Sequence, residues 1–398
     1  MDKNQRNVII LFFTMIVVML GFGIVIPILP FYVKQFGAGG SALGMLMATY
    51  GIMQFIFAPL WGSISDQVGR KPILMVGVLG NAIAQFLLGF STQLWMLFAA
   101  RALAGILSSA TLPTAMAYIS DSTTSAERGG NMGMIGAAMG IGMVIGPGLG
   151  GWLAGTSLSA PFFLAGGLSL LALFIVFLVL PESQHTPSGG AVKIRGPQLA
   201  KLWQALNSPI GILFFMAFLL SFGLTNFEGV FGLYAKERYN YTPQQVGTVL
   251  TVIGLISAII QGGLTGPATR KWGEEMVIRS AFLASAVGFV LMTLAQTYPQ
   301  VMLTAGFFVF SNAMLNPAVA SLISKRTHNE QGMTMGLNNS FLSLGRIVGP
   351  MWAGFVFDIQ MNLPYYSGAL ILLLGFILSL VYLKKQSQTS RVEESPSL

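Results

Sequence analysis

Cysteine is absent from this 398-residue sequence, and histidine occurs only twice. The absence of cysteine excludes disulfide bonds and thiolate metal sites. The two histidines, His185 and His328, lie far apart in polar segments, which argues against a histidine-based metal site. No glycine is followed directly by lysine, so the P-loop of an ATP-driven pump is excluded as well. We therefore expect no bound metal, no cofactor and no cluster of enzymatic nucleophiles.

Charged residues are also scarce: they make up 9% of the chain, whereas hydrophobic residues make up 54%. A soluble protein carries roughly 25% charged residues, so water cannot be the main solvent for this surface. A spanning helix needs about 20 apolar residues, and a short loop brings each crossing to about 30 residues. The length therefore accommodates about twelve spans. The net charge of +8 fits basic cytoplasmic loops better than a nucleic-acid partner.

Apolar runs bounded by glycine, proline or charge predict where the spans lie. The runs cover residues 8–33, 41–63, 72–91, 94–119, 130–153, 159–180, 209–235, 243–266, 275–297, 299–325, 331–357 and 363–383. The first run is too long for a signal peptide and is interpreted as a retained span. The polar segment 181–208 contains serine, glycine and basic residues, which predicts a flexible cytoplasmic linker. We predict an all-α membrane protein with a six-helix bundle over 1–180 and a second over 209–398 that ends in a short cytoplasmic tail.

The distribution of lysine and arginine predicts the orientation. If the N-terminus is cytoplasmic, fifteen of the 21 basic residues fall on the cytoplasmic side and three, Lys34, Lys236 and Arg238, fall outside. The remaining three, Arg101, Arg279 and Arg346, fall within or near apolar runs. Basic residues accumulate in cytoplasmic loops. Both termini are therefore predicted to lie in the cytoplasm, with the chain in the inner membrane of a bacterium.

The two halves of the sequence repeat each other. Residues 142–150 read GMVIGPGLG in the fifth run, and residues 345–354 read GRIVGPMWAG in the eleventh. A weaker echo links residues 62–71, GSISDQVGRK, with residues 263–273, GLTGPATRKWG. Paired six-helix repeats are typical of transporters whose solute site lies near the bilayer midplane between the repeats.

Residues 62–71 resemble the loop signature of the major facilitator superfamily, G-x-x-x-D-[RK]-x-G-[RK]-[RK]. The matching residues are Gly62, Asp66, Gly69, Arg70 and Lys71, while Gln67 replaces a basic residue. We expect the two glycines to permit tight turns and Asp66 to cap a helix or pair with a base. The resemblance implies a cytoplasmic loop that latches the two halves in the outward-facing state.

The fifth run matches the G-x-x-x-G-P-x-x-G-G pattern that the same superfamily carries in its antiporters. The matching residues are Gly142, Gly146, Pro147, Gly150 and Gly151. Glycines four apart let membrane helices approach closely, and proline bends a helix.

Residues 20–30, LGFGIVIPILP, look like the first-span signature of the twelve-helix drug:proton antiporter family. Residues 220–228 and 336–345 resemble Gram-positive exporters of fluoroquinolones and cationic dyes, and the resemblance implies a monomer.

Two ionisable residues stand out inside apolar runs, where a charge is costly and is by default a functional candidate. Arg101, with Gly105, matches the family's R-x-x-x-G element, and its fixed charge is expected to bias a nearby carboxylate. Glu228 is the only carboxylate well inside an apolar run. Hydrocarbon favours its neutral form and a cation favours its ionised form, so a proton and a cationic drug compete for it. Glu228 and Arg101 are therefore the predicted proton-coupling residues.

An apolar substrate pocket with aromatic, amide and methionine side chains is predicted. The chain has 22 methionines, whose flexible side chains suit irregular ligands. The predicted pocket residues are Gln54, Phe227, Glu228, Phe231, Tyr234, Phe310, Asn312, Asn338 and Asn339. Ala313 and Asn316 stand where the Gram-positive exporters carry an aspartate and an arginine, which disfavours dicationic substrates. Val18 stands near the place where tetracycline exporters carry an aspartate, and the absence of that aspartate disfavours a tetracycline exporter.

These observations favour proton-coupled export of structurally diverse lipophilic or cationic drugs. Two alternatives remain: a narrow exporter of the tetracycline or chloramphenicol type, and a proton-coupled importer of a small metabolite. An importer of a hydroxyl-rich solute would carry more buried polar residues. The predicted partners are small lipophilic or cationic molecules, protons and the lipid bilayer, with no nucleic acid.

Overall fold

All regular structure in the described residues is helical. The computed structural model describes residues 3–183, 199–327 and 331–393. Its α-helices are α1 (Lys3–Gln35), α2 (Gly40–Val68), α3 (Arg70–Gly89), α4 (Leu94–Leu107), α5 (Thr111–Ser122), α6 (Ser125–Leu153), α7 (Ala160–Val179), α8 (Leu199–Leu206), α9 (Gly211–Tyr239), α10 (Pro243–Ile259), α11 (Thr265–Trp272), α12 (Glu274–Leu294), α13 (Tyr298–Arg326), α14 (Gln331–Ile359) and α15 (Leu363–Glu393). A 3₁₀ turn at Ser108–Ala110 joins α4 to α5, and a π-helical turn at Ile260–Leu264 joins α10 to α11.

Twelve helical stretches in these residues are long and apolar enough to cross a membrane. Each of the joined pairs, α4 with α5 and α10 with α11, forms one such span, and α8 forms none. The predicted all-α, twelve-span fold is confirmed. The eighth span runs to Trp272, past its predicted end at residue 266, because the chain stays helical through Pro267. Backbone groups in hydrocarbon must be hydrogen-bonded within the chain, and the π turn keeps them bonded.

Contacts divide the chain into two compact units. The first unit comprises Met1–Gln198 and Phe231–Gly254, and the second comprises Leu199–Val230 and Leu255–Leu398. Residues 184–198 of the predicted linker, which include Lys193, Arg195 and His185, lie outside the described residues, as does His328. The predicted boundaries of the two bundles and of the linker stay a prediction.

Each unit has its own densely packed interior. In the first unit, Leu11, Leu74, Tyr118, Ile135 and Val176 are buried where five helices meet. In the second, the interior is aromatic: the Phe289 and Phe308 ring centroids are 4.4 Å apart, and those of Phe308 and Phe227 are 5.4 Å apart. Lipid tails are as apolar as these side chains, so close packing holds the helices together in a membrane.

The repeated glycine motifs hold the equivalent helix pair together in each unit. In the first unit, a Cβ on Gly146 of α6 would lie 2.8 Å from the Cα of Gly23 and the carbonyl oxygen of Leu20 on α1. In the second, a Cβ on Gly349 of α14 would lie 2.8 Å from the carbonyl oxygen of Phe222 on α9. A side chain at either position would collide with a backbone, and therefore only glycine allows this approach. The repeat found in the sequence is thus present in the helix packing.

A second repeated feature is a one-residue turn. Gly69 separates α2 from α3 with φ 106° and ψ 158°, and Gly273 separates α11 from α12 with φ 79° and ψ 153°. Positive φ is rarely adopted by residues with a Cβ. The structure therefore aligns Gly69 with Gly273, and the residues after them, Arg70 and Glu274, occupy equivalent places.

Candidate functional site

The predicted latch residues form an ion-pair cluster around Arg70. Its Nε donates to Asp121 Oδ2 at 2.9 Å, and its Nη1 donates to Asp66 Oδ1 at 2.5 Å and to Ser65 Oγ at 2.7 Å. The Arg70 side chain is 6% exposed, that of Asp121 is 22% exposed and that of Asp66 is 54% exposed. The bond to Asp121 is therefore the better shielded of the two ion pairs, and the predicted pairing of Asp66 with a base is present.

The prediction of a loop over residues 62–71 is wrong. Helix α2 continues through Val68, so Gly62 lies inside a helix, makes no turn, and a Cβ there would meet no atom within 4 Å. Gly69 alone makes the turn. Glycine and aspartate have low helix propensity, but the requirement for internal backbone hydrogen bonds in a span outweighs that preference.

Glu182 joins the cluster around Arg70, and the sequence reasoning missed it. Its Oε1 accepts hydrogen bonds from the backbone N–H groups of Arg70 at 2.8 Å and Lys71 at 3.1 Å. A carboxylate at a helix N-terminus satisfies orphan donors and complements the helix dipole. Lys71 in turn donates from Nζ to the carbonyl oxygen of Phe177 at 2.8 Å. The available signal was an acid directly after the sixth apolar run.

The second unit holds a cluster of opposite polarity at the equivalent turn. Lys325 Nζ lies 2.5 Å from Glu274 Oε1, and Arg326 Nη2 lies 3.0 Å from Glu275 Oε1. In the first unit, the basic residue Arg70 follows the turn glycine and pairs with Asp121 at the end of the fourth span. In the second unit, acidic residues follow the turn glycine and pair with basic residues at the end of the tenth span. The two units therefore have equivalent ion-pair clusters in which the acidic and basic positions are exchanged.

The antiporter motif lies along helix contacts of the first unit. A Cβ on Gly142 would lie 2.7 Å from the carbonyl oxygen of Ile16, and one on Gly150 would lie 3.0 Å from the Cα of Ile24. One on Gly151 would lie 2.9 Å from the Cα of Gly247 on α10. Pro147, inside α6, lies near Gly23, whose added Cβ would be 3.0 Å from the proline Cδ. The motif therefore presses α6 against both α1 and α10.

Arg101 is 4% exposed in α4 and is held by aromatic rings. Its guanidinium carbon lies 4.5 Å from the ring centroid of Tyr50 and 5.9 Å from that of Phe22. Its Nε donates to the carbonyl oxygen of Leu46 at 3.4 Å. Cation–π contacts of this kind stabilise a desolvated guanidinium. No carboxylate among the described residues of the first unit is paired with Arg101, and its influence on a carboxylate stays a prediction.

Glu228 is half-buried in α9 of the second unit, and the neighbouring helix α14 carries Arg346 and packs against α9. The sequence reasoning placed Arg346 within or near an apolar run and in the repeated glycine motif, but assigned it no role. The signal that could have found it is its place between Gly345 and Gly349, the two glycines that bring α14 onto α9. The predicted lone acid therefore has a basic residue on the helix that packs against its own.

Three predicted pocket residues lie in the first unit. Gln54 is half-buried, and its Nε2 donates to the Tyr50 hydroxyl at 3.4 Å. Phe231 and Tyr234 are each 2% exposed, and Arg238 donates a hydrogen bond to the Tyr234 hydroxyl. Gln54 is thus the most accessible of the three.

The other predicted pocket residues lie in the second unit. Phe227 is fully buried against Phe308, Asn312 donates to the carbonyl oxygen of Leu220 at 3.4 Å, and Asn338 is 4% exposed. Phe310 and Asn339 are exposed. The structure therefore places Phe227, Asn312 and Asn338 in helix packing, and a pocket lined by the full predicted set stays a prediction.

Comparison with known proteins identifies the family. The model of the Major Facilitator Superfamily matches residues 11–260 and 213–397. Multidrug resistance protein 1 of Bacillus subtilis (strain 168) is 32% identical over 96% of this chain and 97% of its own. Multidrug resistance protein 2 of the same strain is 29% identical over 98% of both chains. Quinolone resistance protein NorA of Staphylococcus aureus (strain COL) is 29% identical over 98% of this chain and 100% of its own.

Solved structures agree on the fold. The human organic anion transporter MFSD10 has a TM-score of 0.66 at 22% identity, covering 95% of this chain and 100% of its own. A bacterial homologue of the human lysosomal transporter Spinster has a TM-score of 0.73 at 14% identity, covering 96% and 98%. With twelve candidate spans, repeated glycine contacts and a family match along most of its length, this chain is a multi-pass membrane protein that belongs to the major facilitator superfamily.

Proposed function

We propose that this protein exports structurally diverse lipophilic or cationic drugs across the bacterial inner membrane in exchange for protons, with both termini in the cytoplasm. The names of its relatives, multidrug and quinolone resistance proteins, support the substrate class. The observation that carries the coupling is Glu228, a partly accessible carboxylate within a membrane span. A carboxylate at that depth must be paired, hydrated or neutral.

Proton and drug transport are coupled because a proton and a cationic substrate compete for the Glu228 carboxylate. When Glu228 is ionised, it attracts a cationic substrate. When Glu228 takes a proton, it loses its attraction for the cation, which then leaves. Glu228 receives the proton from outside as the drug departs and releases it inward as the next drug binds.

The driving force is the proton gradient, so the proposal involves no cofactor, no metal ion and no enzymatic step. The protein acts as a monomer, as its resemblance to drug antiporters implies. The close helix pairs support alternating access, because helices whose backbones touch through glycine move together.

Everted membrane vesicles test the proposal. Wild-type vesicles that are acidified inside are expected to accumulate a cationic dye, and Glu228→Gln vesicles are expected to lose the response to the pH gradient. The matched control is Glu127→Gln, which removes an exposed carboxylate at the start of α6 and is expected to behave as wild type.

The same assay separates the alternatives. An importer would deplete the vesicles of its solute under the same gradient, and a narrow exporter would move tetracycline or chloramphenicol but no dye. If Glu228→Gln vesicles accumulated dye at the wild-type rate under the gradient, the role of Glu228 would be refuted.

A further inference from the structure

A groove of about 450 Å³ runs between α3 and α7 on the surface of the first unit. It is lined by Pro72, Met75, Val76 and Leu79 of α3 and by Leu173 and Phe177 of α7, with Lys71 at one end. Leu79 is 39% exposed and Phe177 is 57% exposed, so the groove opens outwards. Polar groups line an aqueous cavity in a membrane protein, whereas six of these seven residues are apolar. The groove therefore opens toward hydrocarbon.

The groove has the direction and length of a lipid chain. Its α3 residues, from Pro72 to Leu79, are spaced three, one and three apart, which places them on one helix face. At about 1.5 Å per residue the stripe is roughly 10 Å long, and one leaflet of hydrocarbon is roughly 15 Å thick. The span starts at Arg70, so the groove begins at the membrane surface. Its floor is firm, because Met75 and Leu173 pack against buried core residues.

Lys71 places a positive charge at the surface end of the groove. Its Nζ donates to the carbonyl oxygen of Phe177 at 2.8 Å. In a longer helix that carbonyl would bond to the N–H of residue 181, but α7 ends at Val179, and Pro181 has no N–H. Within the described residues this bond uses one of the three donors of the ammonium. Two donors remain for a ligand.

The charge of Lys71 forms no ion pair with an acid among the described residues of the first unit. The Glu182 carboxylate lies beside the start of α3, but its Oε1 accepts from backbone N–H groups. The donors are Arg70 at 2.8 Å, Lys71 at 3.1 Å and Ser183 at 3.0 Å. These bonds and the dipole of α3 stabilise the Glu182 charge. A singly charged phosphodiester would therefore neutralise the Lys71 ammonium.

We propose that this groove binds one anionic phospholipid, with an acyl chain against Met75 and Leu173 and the phosphate on the Lys71 ammonium. The membrane supplies this ligand, and its charge and its chain match the two parts of the groove. A zwitterionic phospholipid fits less well, because its own ammonium lies beside its phosphate and repels Lys71. The assignment goes beyond the proposed export function and does not depend on it. In the proposed orientation, the lipid belongs to the cytoplasmic leaflet.

The test measures lipid binding to the purified full chain in detergent by native mass spectrometry. The probes are dioleoyl phosphatidylglycerol, which is anionic, and dioleoyl phosphatidylethanolamine, which is zwitterionic. The wild-type protein should bind the first anionic lipid roughly fivefold more tightly, the ratio that one basic residue near an anionic headgroup supplies. In Lys71→Gln the two dissociation constants should become equal, although glutamine can still donate to the Phe177 carbonyl. Lys71→Arg keeps the charge and should keep the preference.

Two further variants test the groove and the specificity of the charge. Val76→Phe fills the groove and should weaken the first binding of both lipids roughly threefold or more, because the acyl chain loses several van der Waals contacts. The matched control is Lys236→Gln, which removes a lysine outside the groove whose Nζ donates to Asn240 Oδ1 at 2.8 Å. It should leave both constants at the wild-type values. Thermal unfolding of each variant reports whether it is folded.

The outcomes are distinct. Loss of the preference in Lys71→Gln together with weaker binding of both lipids in Val76→Phe supports the site. Equal affinities in the wild-type protein, or an unchanged preference in Lys71→Gln, would overturn it. Unchanged constants in Val76→Phe would show that the chain lies elsewhere and would overturn it as well. None of these results bears on dye accumulation in everted vesicles, so a failure here leaves the export proposal intact.

Discussion

Replacing Gly146 with alanine tests the helix packing most sharply. The new Cβ would lie 2.8 Å from the Cα of Gly23 and from the carbonyl oxygen of Leu20. Ordinary carbon contacts are about 3.5–4.0 Å, so α1 and α6 would have to separate by roughly 0.7–1.2 Å. The obstacles are backbone atoms that cannot rotate away, so we expect a loss of about 1–3 kcal/mol in the free energy of unfolding.

The matched control lies in the same helix. A Cβ on Gly140 of α6 would meet no atom within 4 Å, so Gly140→Ala should gain about 0.5–1 kcal/mol from helix propensity. The two substitutions should therefore shift the thermal unfolding midpoint in opposite directions, by roughly 2–4 °C per kcal/mol for a unit of about 200 residues. Unfolding of the purified proteins in detergent measures the midpoints, and dye efflux from cells measures transport, which should fail only in Gly146→Ala. Equal midpoints for the two variants would refute the packing argument.

Two further predictions concern buried cations. Arg70→Ala and Asp121→Asn should each cost about 1–3 kcal/mol in the free energy of unfolding, because each removes the better shielded ion pair of the cluster, while Asp121→Asn keeps the ion pair of Arg70 with Asp66. The double variant should cost at least about 1 kcal/mol less than the two single losses combined, and additive losses in a denaturation cycle would show that the pair is uncoupled. Tyr50→Leu should destabilise the protein by about 2 kcal/mol, since it removes the ring that lies 4.5 Å from the Arg101 guanidinium. Tyr50→Phe keeps that ring and should stay near the wild-type melting temperature; equal losses in both variants would contradict the cation–π assignment.

The fold could be predicted from the sequence because hydrocarbon imposes a minimum apolar length on every span. Apolar runs located all twelve spans, and the errors lay in where some spans end. At Gly62 and at Pro267 the chain stays helical, since leaving the helix inside a membrane would strand backbone hydrogen bonds. The need to keep backbone hydrogen bonds within the chain in hydrocarbon therefore outweighed the low helix propensity of these residues.

The candidate site was less predictable, because it depends on which helices meet. The sequence singled out Glu228 and Arg101 from their depth in apolar runs. It did not identify Glu182, because this residue is more than a hundred residues from the helix start that it caps. It did not place Arg346 on a helix beside α9 either, because the glycine repeats indicate close helix contacts without showing which helices meet.

The most direct measurement follows protons and drug together in liposomes that enclose a pH-sensitive dye, with the voltage clamped by a potassium ionophore. Adding a cationic drug to one side should drive protons in the opposite direction in the wild-type protein, and Glu228→Gln should show no coupled proton movement. If drug were concentrated equally well after the pH gradient and voltage had been abolished, exchange of protons for drug could not be what this protein does.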